Sequence, residues 1–129
     1  MKDNLNEIVI MAGDPIPDKT PTDVRNYFSE RKNEKNLADA FAIASNKFWW
    51  VEDNVYDYEE GTPEHIAART ITDEWAALMD EYMERIFTIL RDEGIKNPKA
   101  WGIKALKPFM KRNGYIDSGG WWIKDNGFL

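Results

Sequence analysis

Two apolar seams, separated by a short polar turn, constrain this chain more than any other feature. Leu37, Phe41, Ala44, Phe48, Val51 and Val55 recur at spacings of 4, 3, 4, 3 and 4 residues, the stripe of a helix that buries one face. Ile71, Trp75, Leu78, Tyr82, Ile86 and Ile89 follow at 4, 3, 4, 4 and 3. Between them, Tyr58-Glu59-Glu60-Gly61 closes the first helix and Thr62-Pro63-Glu64 opens the second. Threonine caps the free N–H groups of a first helical turn, and proline costs nothing at a position whose N–H has no partner. Gly94 suits the left-handed residue that ends the second helix. Helices of this length joined by so short a turn fold back on each other as an antiparallel hairpin. Each also carries a second stripe: Ile43 and Trp50 on the first, and Met79, Met83, Phe87 and Leu90 on the second. A helix apolar on two sides lies between two layers, so other segments must cover the hairpin. The methionines are read as core filler.

Two covering segments are available. Glu7 to Ala12 is a short β-branched run and predicts a strand, followed by an extended loop over Gly13 to Lys19, where Pro15 and Pro17 fix the backbone. Thr20, Pro21 and Asp23 then start a helix with Val24, Tyr27 and Phe28 inward, interrupted by the charged stretch from Glu30 to Asn36. In the last third, Asn97-Pro98 opens a helix with Trp101, Ala105 and Leu106 on its buried side. Pro108 is expected to kink or restart it. Tyr115 to Ile123 reads as two strands around Gly119-Gly120. The expected fold is a single domain over residues 1–129, mainly α (α+β). It has a long antiparallel helical hairpin, flanking short helices, and a small antiparallel sheet pairing Ile8–Met11 with a C-terminal β-hairpin. With 43% hydrophobic residues, including six Trp and six Phe, 129 residues suffice for one core.

Composition excludes several chemistries. Without cysteine there are no disulfides, thiolate metal sites or cysteine nucleophiles. The single histidine, His65, rules out any site that needs two. Gly13-Asp14-Pro15-Ile16-Pro17-Asp18-Lys19-Thr20 is similar to a phosphate-binding loop. However, Pro15 and Pro17 lack the N–H groups that would cradle phosphate, and Asp18 stands where the second glycine belongs. Asp73, Glu74, Asp80, Glu81 and Glu84 cluster on the second helix. Glu81 and Glu84 are three apart, close enough to share Mg²⁺ or to act as an acid/base pair. The plainer reading is a solvated face with Glu81 paired to Arg85. Ser29, Ser45 and Ser118 have no base nearby in sequence. No enzyme, cofactor or metal is expected; a small carboxylate-dependent hydrolase is the outlying alternative. The N-terminus shows no signal pattern and no apolar run approaches the roughly 20 residues of a membrane span, so a cytoplasmic protein without membrane contact is expected.

The net charge of −6 conceals a division. Residues 1–94 hold 10 Lys and Arg against 21 Asp and Glu, a net of −11; residues 95–129 hold 7 against 2, a net of +5. Such asymmetry speaks to partners, or to a basic tail docked on an acidic body. Glu52, Asp53, Tyr56, Asp57, Tyr58, Glu59 and Glu60 sit at the hairpin tip, and Glu64 extends the patch. Carboxylates with aromatic anchors in this density resemble the DNA mimics among phage anti-defence inhibitors, which occupy basic nucleic-acid-binding clefts. The resemblance implies a non-enzymatic regulator that binds a protein partner with a basic surface, one form of which is an inhibitor of a nucleic-acid-binding machine. The rival surface is basic: Lys104, Lys107, Lys111, Arg112 and Lys124 surround tyrosine and tryptophan. The run from Ala105 to Ile123 is similar to the end of a winged-helix domain, which implies nucleic-acid binding. It departs from that pattern at Pro108, within the would-be recognition helix, and at Asp117 in the turn.

Overall fold

The computed structural model describes residues 20–55, 57–119 and 121–124. In chain order it contains α1 (Pro21–Phe28), α2 (Glu34–Val55), α3 (Pro63–Asp92), α4 (Pro98–Trp101), α5 (Ile103–Arg112), β1 (Tyr115–Ser118) and β2 (Trp121–Lys124). The expected mainly helical architecture with a small antiparallel sheet is what forms. The strand expected at residues 7–12 and the loop at 13–19 lie outside the described residues.

Local chemistry sets the helix ends. The Thr20 hydroxyl accepts the Asp23 N–H at 3.2 Å while the Asp23 carboxylate accepts the Thr20 N–H at 3.1 Å, a reciprocal cap. The Asn33 side chain accepts the Asn36 N–H at 2.7 Å at the start of α2. Thr62 does the same for His65 at the start of α3. At the far end of α3, Gly94 takes φ 95°. The Ile95 N–H reaches the Leu90 carbonyl at 3.0 Å and the Gly94 N–H reaches Arg91 at 2.9 Å. This left-handed termination satisfies two of the last carbonyls.

α2 and α3 pack along their length as the antiparallel hairpin. Trp75, Leu78, Tyr82 and Ile86 of the second seam are buried against Leu37, Phe41 and Ala44 of the first. Ala38, Ala40 and Ala42 are also buried, so α2 is enclosed on more than one side. Small side chains there let α1 and the C-terminal layer approach closely. α1 contributes Val24 and Phe28; the C-terminal layer contributes Leu106, Phe109, Met110, Tyr115 and Trp122. The Trp122 and Phe41 rings lie 6.0 Å apart. In the β-hairpin, Tyr115 pairs with Lys124 and Asp117 with Trp122. Asn46, fully buried in α2, fixes the hairpin to the helix. Its amide donates to the Trp122 carbonyl at 2.8 Å and its carbonyl accepts the Trp122 N–H at 2.9 Å.

Three expectations need correction. The helix does not restart at Pro108, which lies inside α5. Pro108 is solvent-exposed there, and its missing N–H costs the helix one backbone hydrogen bond. The break falls at Gly102, whose backbone (φ 57°, ψ −125°) suits glycine. That break removes the common helical face assumed for Trp101, Ala105 and Leu106. Trp101 is consequently 60% exposed. Ile71, expected on the inner seam, is 37% exposed, and the buried Thr72 takes the inward position beside Trp75.

Candidate functional site

The hairpin tip is built by the end of α2, a turn, and the first turns of α3. The Tyr58 N–H donates to the Val55 carbonyl at 3.4 Å, and Thr62 closes the turn through its N–H and hydroxyl, both donated to the Glu59 carbonyl. Gly61 supplies the positive φ of 86° that lets the chain reverse. Asp53, Asp57, Tyr58, Glu59, Glu60 and Glu64 are exposed here and Glu52 is half-buried. Tyr56 lies outside the described residues.

Between Lys47 and Arg69 the sequence has six carboxylates and no lysine or arginine. Among the described residues, none of the six joins an ion pair. Exposed charges within about a Debye length of one another (~8 Å at physiological salt) are only partly screened, so a dense acidic stretch concentrates negative potential.

Beside these carboxylates lies an apolar groove of about 470 Å³. Val51, Ala67, Ala68 and Ile71 line it together with Trp50 and Tyr58, and the acidic residues Asp57 and Glu64 complete the lining. Tyr58 is 45% exposed. Trp49 and Ile66 add exposed apolar surface in the same part of the hairpin. Neither Ile71 nor the two alanines was legible as a binding feature. Ile71 fits the seam spacing, and only the neighbouring Thr72, equally able to face inward, hints that the register shifts.

The other end of the hairpin is organised in the opposite way. Arg112 of α5 donates to both Glu34 oxygens at 2.8 Å, at the start of α2, and to both Glu93 oxygens at 3.0 and 2.7 Å, beyond the end of α3. These contacts, with a further hydrogen bond from Asn113, hold the Glu34 carboxyl below its usual range and push the Arg112 guanidinium up. Lys99 bonds Glu84 at 2.7 Å and lowers its pKa. Asp39 accepts the Tyr115 hydroxyl at 2.6 Å and lies beside Lys35 and Lys124, at 2.6 and 3.7 Å. Lys107 meets Asp117 at 3.6 Å. Of the five cations in the proposed basic surface, Lys107, Arg112 and Lys124 therefore hold carboxylates of the same chain, while Lys104 and Lys111 are exposed.

The Glu81–Arg85 pair does not form: Glu81 pairs with Arg25 of α1 at 3.1 Å. Glu81 and Glu84 thus face separate cations. Among the described residues, no group of three or more Asp, Glu or His side chains could hold a metal ion. No helix among them is long and apolar enough to cross a membrane. His65 is half-buried in the first turn of α3.

Fold and surface together define a helical hairpin with an ion-paired base and an acidic, grooved tip. Comparison with protein-family models, with curated proteins and with solved structures gives no match to this chain.

Proposed function

We propose that this protein is a non-enzymatic regulator that captures a protein partner with its hairpin tip, presenting Glu52, Asp53, Asp57, Tyr58, Glu59, Glu60 and Glu64 to a basic surface. One observation carries the reading: among the described residues none of the six tip carboxylates joins an ion pair, whereas toward the base Lys99, Arg112 and Lys124 meet carboxylates of the same chain. Fixed anions on a stiff helical arm attract a cationic surface from beyond contact distance and penalise an acidic one. The adjoining aromatic and apolar surface supplies the desolvated contact area that charge alone does not. A partner whose basic surface ordinarily binds nucleic acid meets these requirements, so inhibition of such a machine is the specific form proposed.

Nucleic-acid binding through Lys104, Lys107, Lys111, Arg112 and Lys124 has less support, because three of the five already serve the fold. The test is affinity capture from the native cell with nuclease present, comparing the wild-type chain with the triple variant Asp53→Lys, Asp57→Lys and Glu60→Lys. The expected outcome is a partner retained by the wild type and lost by the variant, with circular dichroism unchanged. Undiminished capture by the variant refutes the reading.

A further inference from the structure

The groove at the tip has a chemistry more specific than the charge around it. Its apolar part, formed by Val51, Ala67, Ala68 and Ile71, could be filled by any aliphatic chain. Its other elements select further. Two aromatic residues, Trp50 and Tyr58, and two acidic residues, Asp57 and Glu64, line the same cavity. Ring faces carry negative quadrupole density and attract cations within about 6 Å. Carboxylates accept hydrogen bonds from guanidinium or ammonium groups and bear the opposite charge.

We infer that this groove holds one long side chain of the partner that ends in a cation, with arginine the best match. Its methylene stem lies along Val51, Ala67, Ala68 and Ile71, and its head meets the Tyr58 and Trp50 rings beside Asp57 and Glu64. Long cationic side chains are amphipathic in this sense, with an apolar stem and a charged tip. A guanidinium is planar and weakly hydrated, so it stacks on an aromatic face and binds a carboxylate at smaller desolvation cost than an ammonium. A purely aliphatic anchor such as leucine would bury Asp57 and Glu64 beside hydrocarbon and gain nothing from them, whereas a free small cation would leave the apolar part wet. The two halves of the groove are satisfied together by one residue type. This inference rests on the proposed protein-binding role of the tip for its biological setting, although the groove chemistry can be measured without a partner.

The test uses the full purified chain in a two-dimensional ¹H–¹⁵N NMR titration with three blocked amino acids: N-acetyl-arginine amide, N-acetyl-lysine amide, and N-acetyl-citrulline amide as the neutral isostere of arginine. Arginine is expected to shift the signals of Val51, Tyr58, Glu64, Ala67 and Ala68 and to bind at least about tenfold more tightly than citrulline, the size of one partly desolvated cation–π contact. Lysine is expected between them. Tyr58→Ala and Glu64→Gln, both at exposed positions, should each reduce arginine binding several-fold while the rest of the spectrum is unmoved. Equal binding of arginine and citrulline overturns the inference. So does the absence of shifts at the groove up to the solubility limit of the probe, or an unchanged affinity in both variants. Failure here combined with loss of partner capture in the triple charge-reversal variant removes the groove assignment and leaves the tip as the binding surface. Success here with undiminished capture does the reverse.

Discussion

The two ends of the hairpin place the same residue types in different surroundings. At the base, carboxylates and cations come from segments distant in sequence and meet: Arg112 bridges Glu34 and Glu93, and Lys99 reaches Glu84. At the tip, six carboxylates lie in one stretch without a cation among them. Composition would score both ends as charged surface. Connectivity separates them: a charge paired within its own fold contributes to stability, whereas the tip carboxylates join no ion pair among the described residues.

The comparison is most directly challenged by the hydrophobic layer beneath the base. Phe109 is fully buried where α5 meets the hairpin. Phe109→Ala should cost about 3–5 kcal/mol in denaturant-induced unfolding. Lysine at Asp53, Asp57 or Glu60 should change stability by no more than about 0.5 kcal/mol each, as is usual for exposed positions. Comparable losses at both ends would mean that the tip is a structural element and would erase the distinction.

A smaller effect is expected at Asn46, which joins the hairpin to the C-terminal layer by two hydrogen bonds to the Trp122 backbone. Asn46→Ala leaves a buried N–H and a buried carbonyl without that partner, a loss of about 1–3 kcal/mol. Amide hydrogen exchange should localise it: Trp122 and its strand neighbours exchange faster, while the start of α3 does not. Uniform acceleration throughout the molecule would show that the two ends unfold as one and are not separately organised.

Smaller again is the electrostatic share of the base. Glu34 and Arg112 are each about 40% exposed, so the pair contributes on the order of 1 kcal/mol or less after solvent screening. Its pH dependence has a definite sign. The folded-state pKa of Glu34 is lowered, so the unfolded chain takes up a proton first as the solution is acidified. The contribution is complete above the ordinary glutamate value and is lost as pH falls through the lowered one. Arg112→Ala should therefore be less stable than the wild type near neutral pH, with the gap narrowing in acid. A gap that widens in acid would contradict the assignment.

Much of this was legible in the sequence. Most of the two seams (Ile71 excepted), the Thr-Pro starts, Gly94 and the final β-hairpin are local signals that the structure keeps. The division of charge was legible only as a sum. That Arg112 finds Glu34, 78 residues away, depends on how α5 docks, which no spacing rule contains. The tip acids were visible because they are contiguous. The groove beside them was not, since it arises from Ile71 rotating outward while Thr72 turns in, a choice decided by packing around Trp75. Trp101 misled for a related reason: one glycine broke the helix on which its burial depended.

The smallest predicted effect is also the one that discriminates best. Carboxylates crowded on a turn without counter-charges repel one another in the folded state, and the more expanded unfolded chain relieves part of that repulsion. Neutralising the tip by Asp57→Asn, Glu59→Gln and Glu60→Gln should therefore stabilise the protein by a few tenths of a kcal/mol in total, on the scale of exposed charge pairs. The gain should shrink in 1 M salt, where screening shortens to about 3 Å. The matching change at the base, Glu34→Gln, should destabilise, because it removes a bonded anion. Opposite signs from the same chemical substitution, read as shifts in denaturation midpoint, are what an unpaired tip and a paired base require. Were the neutralised tip less stable than the wild type, its carboxylates would have partners within the fold, and the unpaired anionic lobe on which the proposal rests would not exist.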